Sequence, residues 1–210
     1  MCPLLPSFCG QGETRCVMMS KFTREYILTM KDIVREGAKI LRKVTNPVSM
    51  PPGEEEREEL ACMLKFLKNS QDEELARRYR LRPGVGLSAN QIGLDKSMFA
   101  AYFTDEYGKQ HEYMLINPKL VSHSVAMIYL REGEGCLSVN RPVKGYVPRY
   151  KKIRLKAFDP DGNEVTLSLK GYAAIVVQHE MDHLNGIMFY DRINRKNPYA
   201  LPADVPIEPL

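Results

Sequence analysis

His179 and His183 stand four residues apart with Glu180 between them, in the run His179-Glu180-Met181-Asp182-His183. On a helix, residues i and i+4 share a face, so the two imidazoles can meet one metal ion. Glu180 lies about 100° round the same helix and reaches a water beside that ion, where it can act on the water's proton. The blander alternative is a solvated helix carrying two histidines by chance. The apolar block Ala173-Ala174-Ile175-Val176-Val177 just before the motif disfavours it, because it predicts a partly buried helix. Unliganded imidazoles there would need other polar partners.

Two histidines do not complete a catalytic site, which usually takes three protein ligands and leaves a position for water. No histidine follows His183. Asp191 is close along the chain, Glu208 lies in a Pro-rich tail, and His111 and His123 have no supporting motif. Cys136 is the stronger candidate. It sits in Glu132-Gly133-Glu134-Gly135-Cys136-Leu137-Ser138, where glycines such as Gly135 let backbone approach an ion or ligand. A thiolate is also a strong ligand for a soft or borderline metal. Alone, Cys136 is explained as well by a small buried residue after a bend; beside the histidine pair the ligand reading gains.

Tyr172, Ile175 and Val176 precede His179 by seven, four and three residues and share its helix face. The stripe is either ordinary core or a pocket for the first side chain of a substrate whose reacting group meets the metal. Gly84-Val85-Gly86 can flank a peptide as an added strand, through backbone bonds that do not depend on the peptide's sequence.

These residues need a scaffold. Glu54 to Asn69 reads as a helix, with acidic residues at its start and Leu60, Met63, Leu64 and Leu67 at helical spacing. Gln71 to Leu81 continues as a second helical piece, stopped at Arg82-Pro83-Gly84. Ser97–Thr104 and Tyr113–Ser122 read as strands joined by a turn. Ile153–Phe158 and Glu164–Leu169 form a hairpin around Asp159-Pro160-Asp161-Gly162-Asn163. Tyr172–Leu184 is a buried helix that stops at Asn185-Gly186. Helices at both ends with antiparallel strands between them imply an α+β fold. The domain reading is an irregular extension over residues 1–20, a catalytic unit over 21–196, and a Pro-rich tail over 197–210 that is extended or loosely attached.

The composition is 44% hydrophobic and 27% charged, with a formal net charge of +4 over 210 residues, as in an ordinary soluble protein. The short basic clusters Arg77–Arg80 and Arg149–Lys152 read as solvated faces. They leave room for a transient contact with RNA or the ribosome, while DNA is not an expected partner. No apolar run approaches the ~18 residues of a membrane span, and residues 1–21 make a poor signal peptide. The cytoplasm is the expected location. Five cysteines, three of them Cys2, Cys9 and Cys16, argue against a closed disulfide framework.

Three stretches, Gly84–Gln91, Glu134–Ser138 and His179–His183, resemble in order the three motifs of peptide deformylases, and the likeness runs roughly over residues 28–195. One such motif would be weak; three in order are specific. The insert before the first strand resembles the longer form of Gram-positive bacteria. Ser88 and Asn90 stand where the family often has Ala and Pro, which bears on the fine geometry of that loop. The resemblance implies antiparallel sheets packed around a central metal-binding H-E-x-x-H helix, with N-terminal helices. It implies removal of the formyl group from the N-terminal formyl-methionine of new polypeptides. It also implies Cys136, His179 and His183 as ligands of one divalent ion, natively Fe²⁺, with Zn²⁺, Ni²⁺ or Co²⁺ accommodated. Glu180 is then the acid–base group. Gln91, through its side-chain amide, and Leu137, through its backbone N–H, are the oxyanion donors. The rival readings are an H-E-x-x-H metallopeptidase, which lacks its downstream ligand here, and a structural metal-binding module, which lacks an obvious fourth ligand.

Overall fold

The computed structural model describes residues 20–210. The expectations for residues 1–19, including Cys2, Cys9 and Cys16, lie outside the described residues.

Helix α1 (Glu54–Gln71) begins with Glu54, Glu55 and Glu56, whose charge suits the N-terminal dipole. The Glu56 carboxylate also accepts the Gly53 N–H, at 3.0 Å. Asp72 ends α1 and caps α2 (Glu73–Tyr79) by accepting the Leu75 N–H at 2.8 Å. Strands β1 (Gly86–Ser88), β2 (Met98–Thr104), β3 (Gln110–His123), β6 (Lys152–Phe158) and β7 (Glu164–Lys170) pair in the order β1-β2-β3-β6-β7, all antiparallel. The β6–β7 turn forms because the Asp159 side chain accepts the N–H groups of Asp161 and Asn163 and Gly162 supplies the positive φ.

Alternation along β2 divides the interior in two. Met98 and Ala100 pack with Leu60, Met63 and Leu67 of α1. Phe99, Ala101 and Phe103 pack with Ala173, Ala174, Val176 and Val177 of α3 (Gly171–Leu184). The sheet therefore carries α1 against one set of side chains and α3 against the other, and the fold is α+β.

Two departures from the sequence reading stand out. Gly86–Ser88 is a short edge strand of the main sheet, too brief for a periodic signal. The tail is extended but not loose: β8 (Ile207–Pro209) pairs in parallel with β4 (Met127–Tyr129), which also pairs with β5 (Arg149–Tyr150). The tail's contacts come from a partner strand about 80 residues earlier in the chain, so no local pattern records them. Among the described residues no helix is long and apolar enough to cross a membrane.

Candidate metal centre

Helix α3 presents His179 and His183 one turn apart, their rings 4.9 Å apart. The loop after β4 brings Cys136 over the same turn. The ligand atoms of Cys136, His179 and His183 all lie within 4.8 Å of one another, and Cys136 Sγ is 3.1 Å from His183 Nε2. These donors fit a divalent ion. The Cys136 sulfur accepts N–H groups from Gln91 Nε2 and the Ser138 backbone, each at 3.4 Å, as an anionic ligand would. His183 is 1% exposed, and its Nδ1 has no hydrogen-bond partner among the described residues. Nε2 faces Cys136 Sγ and is the nitrogen placed to meet an ion, with the ring proton then on Nδ1.

His179 is fixed from behind. Its Nδ1 lies 2.8 Å from Glu134 Oε2, so Nε2 is the nitrogen left for the ion. Glu134 is gripped by Arg149 through Nε and Nη2, both at 2.8 Å, and Arg149 Nη1 also donates to Asp182, which Arg192 binds as well. Burial alone would raise the Glu134 pKa, but the Arg149 guanidinium and His179 hold it at about 2. Burial would likewise lower His179, yet its partners Cys136 and Glu134 raise it. Burial and the neighbouring cations push His183 down.

This network corrects the sequence reading of Arg149. The residue is 1% exposed rather than on a solvated face. The lone signal for it was a run of basic residues, which is silent about burial.

Glu180 is 3% exposed and sits beside the ligands without joining them. Burial raises its pKa, opposed by His179 and by the Ser88 hydroxyl. Gly86 leaves room here: a Cβ on it would lie 2.2 Å from Glu180 Oε1, so the carboxylate in its present place requires glycine or must shift. Gln91 is oriented by its Oε1, which accepts the Ser88 N–H at 2.9 Å, leaving Nε2 to face Cys136 and Ser138.

A cavity of about 230 Å³ opens over the site. It is lined by Val85, Gly86, Gln91, Gly135, Cys136, Leu137, Tyr172, Ile175, Val176, His179 and Glu180. The structure thus brings together every site residue read from the sequence, with His183 beneath the floor rather than on it. Ile175 is buried yet belongs to none of the three apolar clusters, whereas Val176 is shared with the α3 core. Leu130 and Arg82 also line the cavity and had carried no motif. The other ligand candidates are engaged elsewhere: Asp191 by Arg42, Glu208 by Lys151, His111 by Asp105, while His123 stacks on Tyr150.

A thiol and two imidazoles converging beside a buried carboxylate, under an apolar cavity, place the chain in the class of metal-dependent hydrolases. The family model described as polypeptide deformylase matches residues 30–199. Peptide deformylase 2 of Bacillus cereus is 56% identical over 178 residues, 85% of this chain and 97% of the relative. Peptide deformylase 2 of Geobacillus stearothermophilus is 57% identical over 176 residues, 84% of this chain and 96% of the relative. The crystal structure of peptide deformylase from Thermus thermophilus superposes with a TM-score of 0.65 at 31% identity, covering 79% of this chain and 86% of that one. The chain belongs to the polypeptide deformylase family, whose members are metal-dependent deformylases.

Proposed function

We propose that this chain removes the formyl group from N-formyl-methionyl nascent peptides, using an ion held by Cys136 and by His179 and His183 of the central helix α3. The observation that carries this reading is the convergence of the three ligand atoms next to buried Glu180 on the cavity wall. When bound, a divalent ion supplies a polarised formyl carbonyl and a water of lowered pKa. Fe²⁺ is the proposed native ion, with Zn²⁺, Ni²⁺ or Co²⁺ able to take its place, since a thiolate with two imidazoles suits all of them. The cytoplasm fits a thiolate and a ferrous ion, both of which need reducing conditions.

Glu180 takes the proton of the attacking water and delivers it to the leaving amine. Gln91 Nε2 and the Leu137 backbone N–H donate to the negative charge that develops on the formyl oxygen. Tyr172, Ile175 and Val176 receive the methionine side chain. The peptide backbone runs along Val85 and Gly86, because β1 is an edge strand with one side open to the cavity, and along Gly135 opposite. Backbone bonding of this kind suits an enzyme that accepts nearly every new chain.

The catalytic unit is taken as residues 21–196, with the extension before it and the tail strapped on by β8. A transient ribosome contact is assigned to the exposed side of β6. There Lys152 stands opposite Lys170 with no carboxylate partner among the described residues, while Lys156, opposite Lys119, is paired with Glu164 at 2.7 Å. Opposed like charges destabilise a sheet, and an RNA phosphate backbone would relieve them. Co-sedimentation with ribosomes that is lost on Lys152→Glu is the expected result.

The test of the reaction is amine release from a formyl-Met peptide, with casein as the control that a metallopeptidase would cleave. Glu180→Gln is expected to keep its metal and lose at least ~10²-fold in kcat. Loss of metal in that variant would make Glu180 a ligand, and full activity would remove it from the reaction. Cys136→Ala is expected to lose the ion; one retained metal per chain would move the third ligand elsewhere.

A further inference from the structure

We infer that Ser88 is a positioning residue for this reaction, its hydroxyl fixing the Glu180 carboxylate while its backbone N–H fixes the Gln91 amide. The inference rests on the reading of Glu180 as the acid–base group.

In a strand, residues i and i+2 point to one face. Gly86 and Ser88 of β1 both meet Glu180 in this way. Gly86 contributes the lack of a side chain, since any Cβ there would strike Oε1. Ser88 contributes a hydroxyl. Its Oγ lies 2.6 Å from Glu180 Oε2 and 3.2 Å from the Glu180 carbonyl oxygen. A hydroxyl has one proton to donate, and the shorter contact, to the carboxylate, takes it. Oε1 is then left against Gly86, which lines the cavity.

Among the described residues, Ser88 is the one hydrogen-bond partner of the Glu180 side chain. A glutamate has three rotatable side-chain bonds, and a general base must sit within hydrogen-bond reach of the proton it moves. Removing the hydroxyl therefore leaves the carboxylate held by packing alone. The second half of the device is the Ser88 N–H, which donates to Gln91 Oε1 at 2.9 Å and turns Nε2 toward Cys136. One fully buried residue thus sets the proton carrier by its side chain and the oxyanion donor by its backbone. Ala at this position would keep the second function and lose the first.

The decisive experiment is a double-mutant cycle on the metal-loaded enzyme, with kcat, KM and metal content measured throughout. Ser88→Ala is expected to lower kcat by about tenfold, the scale of one hydrogen bond to a charged group. KM should stay within about twofold and metal content should not change, because the pocket and the ligands are untouched. In the Glu180→Asp background, whose shorter side chain withdraws from the hydroxyl, Ser88→Ala should have no further effect. Ser88→Cys, with a weaker donor of similar shape, should fall between Ser and Ala and keeps the question answerable if the Ala variant folds poorly. Unchanged kcat in Ser88→Ala overturns the inference. So does an equal loss in both backgrounds, which would mark a general effect on the loop. If Glu180→Gln itself keeps full activity, the acid–base reading fails instead, and the two failures are told apart.

Discussion

Arg149 and Lys96 each pair with more than one carboxylate, but the most buried acid of each cluster is shifted in the opposite direction. Arg149 grips Glu134 with two nitrogens at 2.8 Å and turns a third to Asp182. Lys96 divides one ammonium among Glu55 at 3.2 Å, Glu56 at 2.9 Å and Glu59 at 2.7 Å. Glu134 is held at about 2 despite its burial. Glu59, 0% exposed, is pushed up by burial, with Lys96 offsetting only part, and its Oε1 has no hydrogen-bond partner among the described residues. Lys96 still lowers the less buried Glu56, so the difference lies in depth of burial and in geometry. A planar guanidinium satisfies both oxygens of one carboxylate at once, whereas an ammonium is a point charge. Destination differs too. The Arg149 network ends on His179, a proposed ligand, while Lys96 joins α1 to the start of β2 and goes no further.

The largest expected effect breaks the first cluster. Arg149→Met strands Glu134 as a buried charge while Arg192 still holds Asp182, and removing one partner of such a pair costs about 3–5 kcal/mol. It should also weaken metal binding by roughly 10–100-fold, because His179 loses its oriented carboxylate. Chemical denaturation and metal competition report the two losses. Arg149→Lys should recover little, since it restores charge without the fork; full recovery would dissolve the contrast drawn with Lys96.

A smaller effect separates the clusters by pH. The folded pKa of Glu134 lies below its unfolded value, so its contribution is present above pH 4.5 and is lost as pH falls toward 2. The shift corresponds to about 3 kcal/mol. Unfolding of the metal-free protein followed over this window should show that loss, and Glu134→Gln should flatten it. Glu59 carries the opposite sign: its raised pKa penalises the fold once pH rises through it. A steep acid loss retained in Glu134→Gln would show that other groups dominate.

The smallest effect is expected at Glu59→Gln. Replacing a buried carboxylate with an unpartnered oxygen by a neutral amide should change stability by less than about 1 kcal/mol, with stabilisation allowed. A loss of several kcal/mol would show that Lys96 satisfies Glu59 as well as Arg149 satisfies Glu134.

Much of the site was legible in the chain because its signals are local. The spacing of His179 and His183 is a helical repeat. The apolar block before them foretells burial, and the turn residues around Gly162 foretell the β6–β7 hairpin. Helix α1 was read within two residues of its observed end. Cys136 was legible only in combination, since a lone cysteine after glycines has several explanations.

What the sequence determined by itself is therefore the set of chemical groups and the elements that carry them: the histidine pair with Glu180, the thiol, the apolar helix and the α+β order of elements. Tertiary structure alone decided which of these groups meet. It turned Arg149 from a surface cation into the buried anchor of Glu134, made the tail a strand beside β4, and set Gly86 and Ser88 of an edge strand against Glu180. Such contacts join residues 15 to 94 positions apart. They depend on the register and packing of whole elements, which no local periodicity encodes.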